Sequence, residues 1–363
     1  MSNLLLANTP DANTMESVLE FCTEFCRSAS RPKFIFGRNI YAASVAKQVS
    51  VAGFIDEYAD VSTHLGRPIV ALSDVPKDAL VLSVSGGRPF SAKRRLDGVG
   101  LRNLDYFAFY RYSGLALTPM RFNEGFEEEF RANEAQYSWI YGLLRDEESK
   151  RIFRRLVSFR YYYNLEHLDG FTWKEDVQYF EPFLSLKGIG ETFIDVGGFD
   201  GYTSAEFMKR YPGYRAVHVF EPDPGNFEKC VSRVGLNRDV VCHPFGLSRG
   251  HALLKLEVQG SGSRVSERGS IEVTVDALDE VLHDVPTFIK MDVEGAEMDA
   301  IEGARETIFA HHPTLAISVY HKPGDFWRIP RLVFSIRDDY EVFIRHYTEC
   351  IYETVMFFVP IRN

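Results

Sequence analysis

The sequence predicts an α/β fold made of two parallel sheets with a helical segment between them. Three observations carry that expectation. Short apolar runs alternate with helical-period segments in both halves of the chain. A glycine turn follows the first apolar run of each half. Two closing runs, 340–345 and 353–359, have no helix between them and should pair as antiparallel strands at a sheet edge.

In the first half, 33–38 (Lys-Phe-Ile-Phe-Gly-Arg) reads as a strand ending in a glycine turn. Ala42, Ala43, Val45 and Ala46 give 41–50 a helical period. A second strand, 51–56, ends in Asp56, and 68–72 and 79–84 are two more. Strand, turn, helix, strand is a βαβ unit, which makes residues 30–117 a small Rossmann-like domain within an N-terminal part spanning 1–120. Only Gly37 occupies a turn where the dinucleotide fingerprint has three glycines. The domain therefore reads as an α/β module without a nucleotide, while Asp56 keeps a nucleotide or nucleotide-sugar role open.

Residues 121–188 read as a helical bridge. Trp139, Ile140, Leu143, Leu144, Ile152, Phe153, Leu156 and Val157 recur at helical spacing between charged positions. Glu147 and Arg151 are spaced for an ion pair on the solvated face. Tyr161-Tyr162-Tyr163 reads as packing.

Residues 189–363 form the second α/β domain. Strands are expected at 192–196, 216–220, 240–245, 287–292 and 314–320, with helices near 203–210, 224–235, 276–283, 296–310 and 325–337. Runs 253–258 and 271–275 flank Gly260-Ser261-Gly262-Ser263, a hairpin or mobile loop.

Composition narrows the function classes. The chain has 363 residues, 45% of them apolar and 25% charged, enough for about two domains. Lys+Arg number 41 against 51 Asp+Glu, so the net charge of -10 carries no basic footprint for a nucleic acid. Five cysteines without a C-x-x-C pair fit a reducing compartment, hence a cytoplasmic expectation. There is no apolar run of membrane-spanning length. Asp11, Glu16, Glu20 and Glu24 interrupt what a signal peptide would need.

The chemistry-bearing residues cluster in the second domain. Its first strand runs into Asp195-Val196-Gly197-Gly198-Phe199-Asp200-Gly201-Tyr202-Thr203. Gly197, Gly198 and Gly201 permit a sharp turn and a close ligand approach, and the following helix points its N-terminus there. Glu221 ends the second strand 20 residues after Gly201, where an acid can accept both hydroxyls of a ribose. Asp195 stands in the turn where a pyrophosphate site has glycine, which suits the cationic amino-acid end of S-adenosylmethionine. Lys290 and Asp292 put two charges on one strand that should be apolar on both faces. They either line the crevice at the strand ends or form an internal ion pair, Lys290 with Asp292 or with Asp195. Asp292 and His321 are candidate bases and Lys290 a third candidate catalytic group. His218 and His243 lie in strands and read as packed.

Asp195–Thr203, Glu221-Pro222-Asp223-Pro224-Gly225-Asn226-Phe227, the Ile-Lys-Met-Asp-Val-Glu-Gly-Ala-Glu block at 289–297, Gly303-Ala304 and 313–320 together resemble the FkbM-type family of S-adenosylmethionine-dependent methyltransferases. The family often has Glu at the position of Ser318. Gln178-Tyr179-Phe180 and the charged helix at 145–160 resemble a subgroup with an extra N-terminal Rossmann-like domain. The resemblance implies a seven-stranded Rossmann-like methyltransferase domain and O-methylation of a sugar, polysaccharide-precursor or natural-product hydroxyl. It implies a cofactor-binding set of Tyr179, Asp195, Gly197, Gly198, Asp200, Gly201 and Thr203, with Glu221, Pro222, Asp223, Gly246, Asp292, Val293 and Glu294. Asp292, Glu294 and His321 could converge on a divalent metal, although no ligand spacing demands one. The rival readings are a nicotinamide-dependent oxidoreductase and a non-catalytic nucleotide-sugar-binding module. The N-terminal domain is expected to hold the acceptor's carrier or to mediate assembly of a homo-oligomer.

Overall fold

A computed structural model describes residues 6–7, 12–257, 264–265 and 269–361 of the chain. Gly260-Ser261-Gly262-Ser263, expected as a hairpin or mobile loop, lies outside the described residues. The chain divides into two compact units: Met1–Ala132 with Arg151–Lys174 and Tyr347–Tyr352, and Asn133–Lys150 with Glu175–His346 and Glu353–Asn363.

The first unit holds α1 (Ala12–Arg27), β1 (Lys33–Phe36), α2 (Ile40–Ala46), β2 (Gly53–Ile55), β3 (Thr63–His64), β4 (Arg67–Val70), β5 (Leu80–Ser83), α3 (Pro89–Gly98), β6 (Arg102–Asp105) and α4 (Tyr106–Tyr112). The strands form one sheet in the order β3-β4-β2-β1-β5-β6, all parallel except the short β3. Phe34, Ile55, Val81, Leu96 and Leu101 build one side of its core. Helix α1 lacks a sequence forecast. Glu16, Glu20 and Glu24 make its solvated face at helical spacing, and Phe21, Cys22 and Phe25 make the buried one. Asn39 replaces the missing glycines after β1: its side chain caps α2 through Tyr41 and Ala42 and donates to the Val84 carbonyl at 2.8 Å. Asp56 is paired with Arg38 at 2.6 Å. Burial works to raise its pKa, but the Arg38 and Tyr58 bonds outweigh it and hold the carboxyl below the ordinary range.

The helical segment is shared between the units. Helix α5 (Phe126–Leu143) is kinked at Asn133, where the division falls. Helix α6 (Glu147–Tyr162) buries Ile152, Phe153, Leu156 and Val157 as the spacing implies. Glu147 takes Lys150 as its ion partner at 2.8 Å, rather than the forecast Arg151.

The second unit holds β7 (Thr192–Val196), α7 (Tyr202–Arg210), β8 (Ala216–Phe220), α8 (Pro224–Val234), β9 (Val240–His243), β10 (Gly246–Leu247), β11 (Ala252–Glu257), β12 (Arg264–Val265), β13 (Ile271–Asp276), α9 (Leu278–Val281), β14 (Phe288–Met291), α10 (Glu297–Glu302), α11 (Arg305–His311), β15 (Thr314–Ser318), α12 (Asp325–Ile336), β16 (Tyr340–His346) and β17 (Thr354–Pro360). Seven of the strands form a sheet ordered β16-β17-β15-β14-β7-β8-β9. β15 to β9 run parallel, and β17 and β16 close the edge antiparallel, as the helix-free ending implies. The winding reverses between β7 and β14, so the crevice at their carboxyl ends is where an open α/β sheet receives a ligand. Phe193 stacks on Phe207 at 4.4 Å and on Phe288 at 5.0 Å in the core of this sheet. The helix expected over 296–310 is broken at Gly303, where a Cβ would lie 1.9 Å from the Ser248 carbonyl oxygen.

Candidate functional site

The turn after β7 is set by backbone contacts within the unit. Gly197 has φ +76°, and a Cβ there would sit 2.0 Å from the Asp292 carbonyl oxygen. A Cβ on Gly198 would meet Val219 Cγ1 at 2.1 Å. Both glycines donate their N–H to the Phe220 carbonyl, at 3.0 and 3.1 Å. They are therefore required by the turn's close approach to β14 and β8, in keeping with the sharp turn the sequence implies. Asp200 accepts from Tyr202 N at 3.1 Å and pairs with Arg233 at 2.8 Å, while Thr203 lies in the first turn of α7.

Asp195 does not face the crevice. It is fully buried, pairs with the Lys290 ammonium at 3.0 Å and accepts from Ser204 Oγ at 2.7 Å. Of the two arrangements open in the sequence, the internal Lys290–Asp195 pair is the one that forms. Lys290 also donates to the Gly197 carbonyl at 2.6 Å. Burial alone would depress its pKa, but the charges of Asp195 and Asp292 overcome it and keep the ammonium protonated. A neutralised Asp195 presents no net charge to a ligand, so the electrostatic argument for its direct contact is corrected. Asp195 and Lys290 instead brace the turn.

Glu221 follows the end of β8 and accepts from Phe199 N at 2.8 Å and from Asp223 N at 2.9 Å, one bond on each oxygen. Each oxygen keeps a lone pair for a further donor, which is the chemistry a ribose diol needs. Burial pushes the carboxyl up to about 7 against those two bonds. Asp223 caps α8 through Gly225 and Asn226. Gly246 packs against Pro222, where a Cβ would lie 3.4 Å from the ring. The histidines of β8 and β9 are packed as expected: His218 bonds Asp284 at 2.9 Å, and His243 stacks on Phe220 at 4.3 Å.

Beyond β14 the chain makes a tight loop, with Glu294 at φ +54° and Gly295 at φ +100°. Asp292 projects there, half-buried, and Tyr179 donates its hydroxyl to Asp292 Oδ2 at 2.9 Å. His321, just past β15, brings Nε2 to 3.5 Å from Asp292 Oδ1 and 3.9 Å from Glu294 Oε1. Its Nδ1 lies 2.9 Å from Glu297, a fully buried acid that also accepts from Val293 N at 3.0 Å and Gly295 N at 3.3 Å. Glu297 thus holds both the loop and the imidazole, yet the sequence reading gave it no role. Its signal was an acid at the first position of α10, where a carboxylate complements the positive end of the helix. Glu353 was missed as well; it accepts from Gln178 at 2.6 Å and Tyr320 at 3.2 Å.

Burial works to lower the His321 pKa, but Glu297, Asp292 and Glu294 outweigh it and push it up to about 10. At neutral pH the ring is a cation with both nitrogens protonated, so it donates rather than accepts. A ring that already carries both protons does not fit the expectation of His321 as a base. A raised folded-state pKa adds stability that is complete below the ordinary value of 6.5 and is lost as pH climbs through about 10. The melting temperature should therefore fall from pH 6.5 to 10 more steeply in the wild type than in His321→Gln, read by scanning calorimetry.

One oxygen or nitrogen each from Asp292, Glu297 and His321 lies within 4.8 Å of the others. A divalent ion could bridge these three only if the imidazolium first gave up a proton, since a ring with both nitrogens protonated offers no lone pair. Among the described residues no helix is long and apolar enough to cross a membrane.

Residues 195–352 match the family model described as Methyltransferase FkbM domain, in agreement with the family resemblance of the motifs. "Methyltransferase 1" of Beauveria bassiana (strain ARSEF 2860) is 25% identical over 165 residues, 37% of this chain. The matched stretch spans 66% of that relative's length, just under two thirds. The crystal structure of the methyltransferase FkbM from Methylobacillus flagellatus KT superposes with a TM-score of 0.75 at 22% identity, over 96% of this chain and 94% of that one. That likeness establishes the α/β fold across both units.

Proposed function

Starting from an FkbM methyltransferase domain, we propose that this chain transfers a methyl group from S-adenosylmethionine to a hydroxyl of a sugar, polysaccharide precursor or natural product. The observation that carries this reading is the Asp292 carboxylate, half-buried past the end of β14 at the switch point of the sheet. The glycine turn and Glu221 stand at the ends of the adjacent β7 and β8. Glu221, Gly198 and the α7 N-terminus would hold the nucleoside half of the cofactor. When bound, the cofactor supplies an electrophilic sulfonium methyl.

The chain's own part is positioning and proton transfer. Tyr179 fixes Asp292 Oδ2 by its 2.9 Å bond, and Oδ1 is buried 3.5 Å from His321 Nε2. Asp292 would accept the acceptor's hydroxyl proton, which a barely acidic sugar alcohol gives up slowly unaided. The His321 imidazolium offsets the charge of Asp292 and Glu294 and orients the carboxylate. Holding oxygen and methyl in attack geometry supplies much of the remaining acceleration.

Glycan and small-molecule hydroxyl acceptors, incubated with protein and S-adenosylmethionine, should gain the mass of one methyl. Comparing the cell's own glycans with and without the gene identifies the acceptor class by the same increment. A hydroxyl substrate oxidised in the presence of a nicotinamide cofactor, with no methylated product, would sink the reading.

A further inference from the structure

The glycine turn rests on one thiol, which in turn touches a second. Cys230, fully buried on α8, underlies Gly201: a Cβ on that glycine would be 3.3 Å from Cys230 Sγ and 3.3 Å from its Cα. Cys242 lies in β9, register-paired with Val219, whose Cγ1 fills the space beside Gly198. The two sulfurs are 3.9 Å apart, in contact, and both cysteines are free. Their 12-residue separation brings together α8 and the edge strand β9.

We propose that Cys230 and Cys242 are an oxidisable pair, and that the disulfide between them loosens the glycine turn and weakens cofactor binding. A disulfide holds its sulfurs about 2 Å apart, so closing the pair must draw the two sulfurs together by about 2 Å and disturb the packing of Cys230 beneath Gly201. The oxidant is a low-molecular-weight disulfide such as glutathione disulfide. The Cys242 thiolate, half-buried on the edge strand, attacks it, releasing one glutathione and leaving a mixed disulfide. Cys230 then displaces the second glutathione, its proton passing to the departing thiolate. Two thiols are oxidised, one glutathione disulfide is reduced to two glutathiones, and no other reactant is needed. The hydrogen bond between the sulfurs supports this order of attack, since it raises the Cys230 pKa and lowers that of Cys242.

The second half of this proposal rests on the cofactor reading above; the first does not. Treating the whole chain with glutathione disulfide should give a linked Cys230–Cys242 peptide in a non-reducing digest, removed by dithiothreitol. Calorimetry should show S-adenosylmethionine affinity falling on oxidation by a factor in the range of about 5–150, typical of coupled sites, and recovering on reduction. Cys242→Ser should bind like the reduced wild type and be unmoved by the oxidant. Absence of the linked peptide overturns the pair. A linked peptide with unchanged affinity, or the same loss in Cys242→Ser, overturns its effect on the turn. Failure of the reduced chain to bind S-adenosylmethionine at all sinks the cofactor reading instead.

Discussion

Gly197→Ala should abolish S-adenosylmethionine binding and lower the melting temperature. The new Cβ would lie 2.0 Å from the carbonyl oxygen of Asp292, a backbone atom that cannot swing aside. At φ +76° the alanine would also sit in the left-handed region, at a cost of about 1–3 kcal/mol. Overpacking adds about 1–3 kcal/mol. The displaced atoms belong to Asp292, so the loop that presents the proposed base moves with the turn. Gly87→Ala, with nothing within 4 Å of the added carbon, is the matched control and should melt and bind as the wild type does. Circular dichroism with calorimetric titration reads both. Wild-type affinity in Gly197→Ala would mean that the cofactor does not use this turn.

Asp292→Asn should cost about 10²–10⁴ in methyl-transfer rate, the usual worth of a general base, with cofactor affinity nearly intact. The amide keeps the shape and can still accept from Tyr179, but it no longer takes a proton. Chelation distinguishes how the carboxylate serves. If EDTA stops turnover and Mg²⁺ or Mn²⁺ restores it, Asp292 and His321 hold an ion that acidifies the acceptor hydroxyl. If EDTA does nothing, Asp292 acts as the base directly. Wild-type turnover by Asp292→Asn would leave positioning as the only source of rate and remove Asp292 from the chemistry.

Local pattern made the parallel strands legible. Runs such as Thr192–Val196 and Thr314–Ser318 are mostly apolar and buried along their whole length, and glycines or acids punctuate their ends. β6 escaped because Arg102-Asn103-Leu104-Asp105 is a half-buried edge strand with no alternation to read. The glycine turn and Glu221 were legible because their spacing is local. The acid–imidazole cluster was only partly so. Tyr179 meets Asp292 across 113 positions and Gln178 meets Glu353 across 175, and spacing carries no signal at such range. Lys290 was conspicuous as a charge in a buried strand, but choosing between its two carboxylate partners needed the register of β14 against β7, which sets Lys290 opposite Asp195. The protonation of His321 depended on Glu297, Asp292 and Glu294 arriving together.

The most direct test of the account is calorimetric titration of S-adenosylmethionine into the wild-type chain and Glu221→Ala, with NAD as the parallel ligand. The wild type should bind S-adenosylmethionine and not NAD. Glu221→Ala should bind it about 10- to 100-fold more weakly, the worth of charge-assisted bonds to a ribose at roughly 1.5–3 kcal/mol. Equal affinity in the two chains, or binding of NAD in place of S-adenosylmethionine, would contradict it.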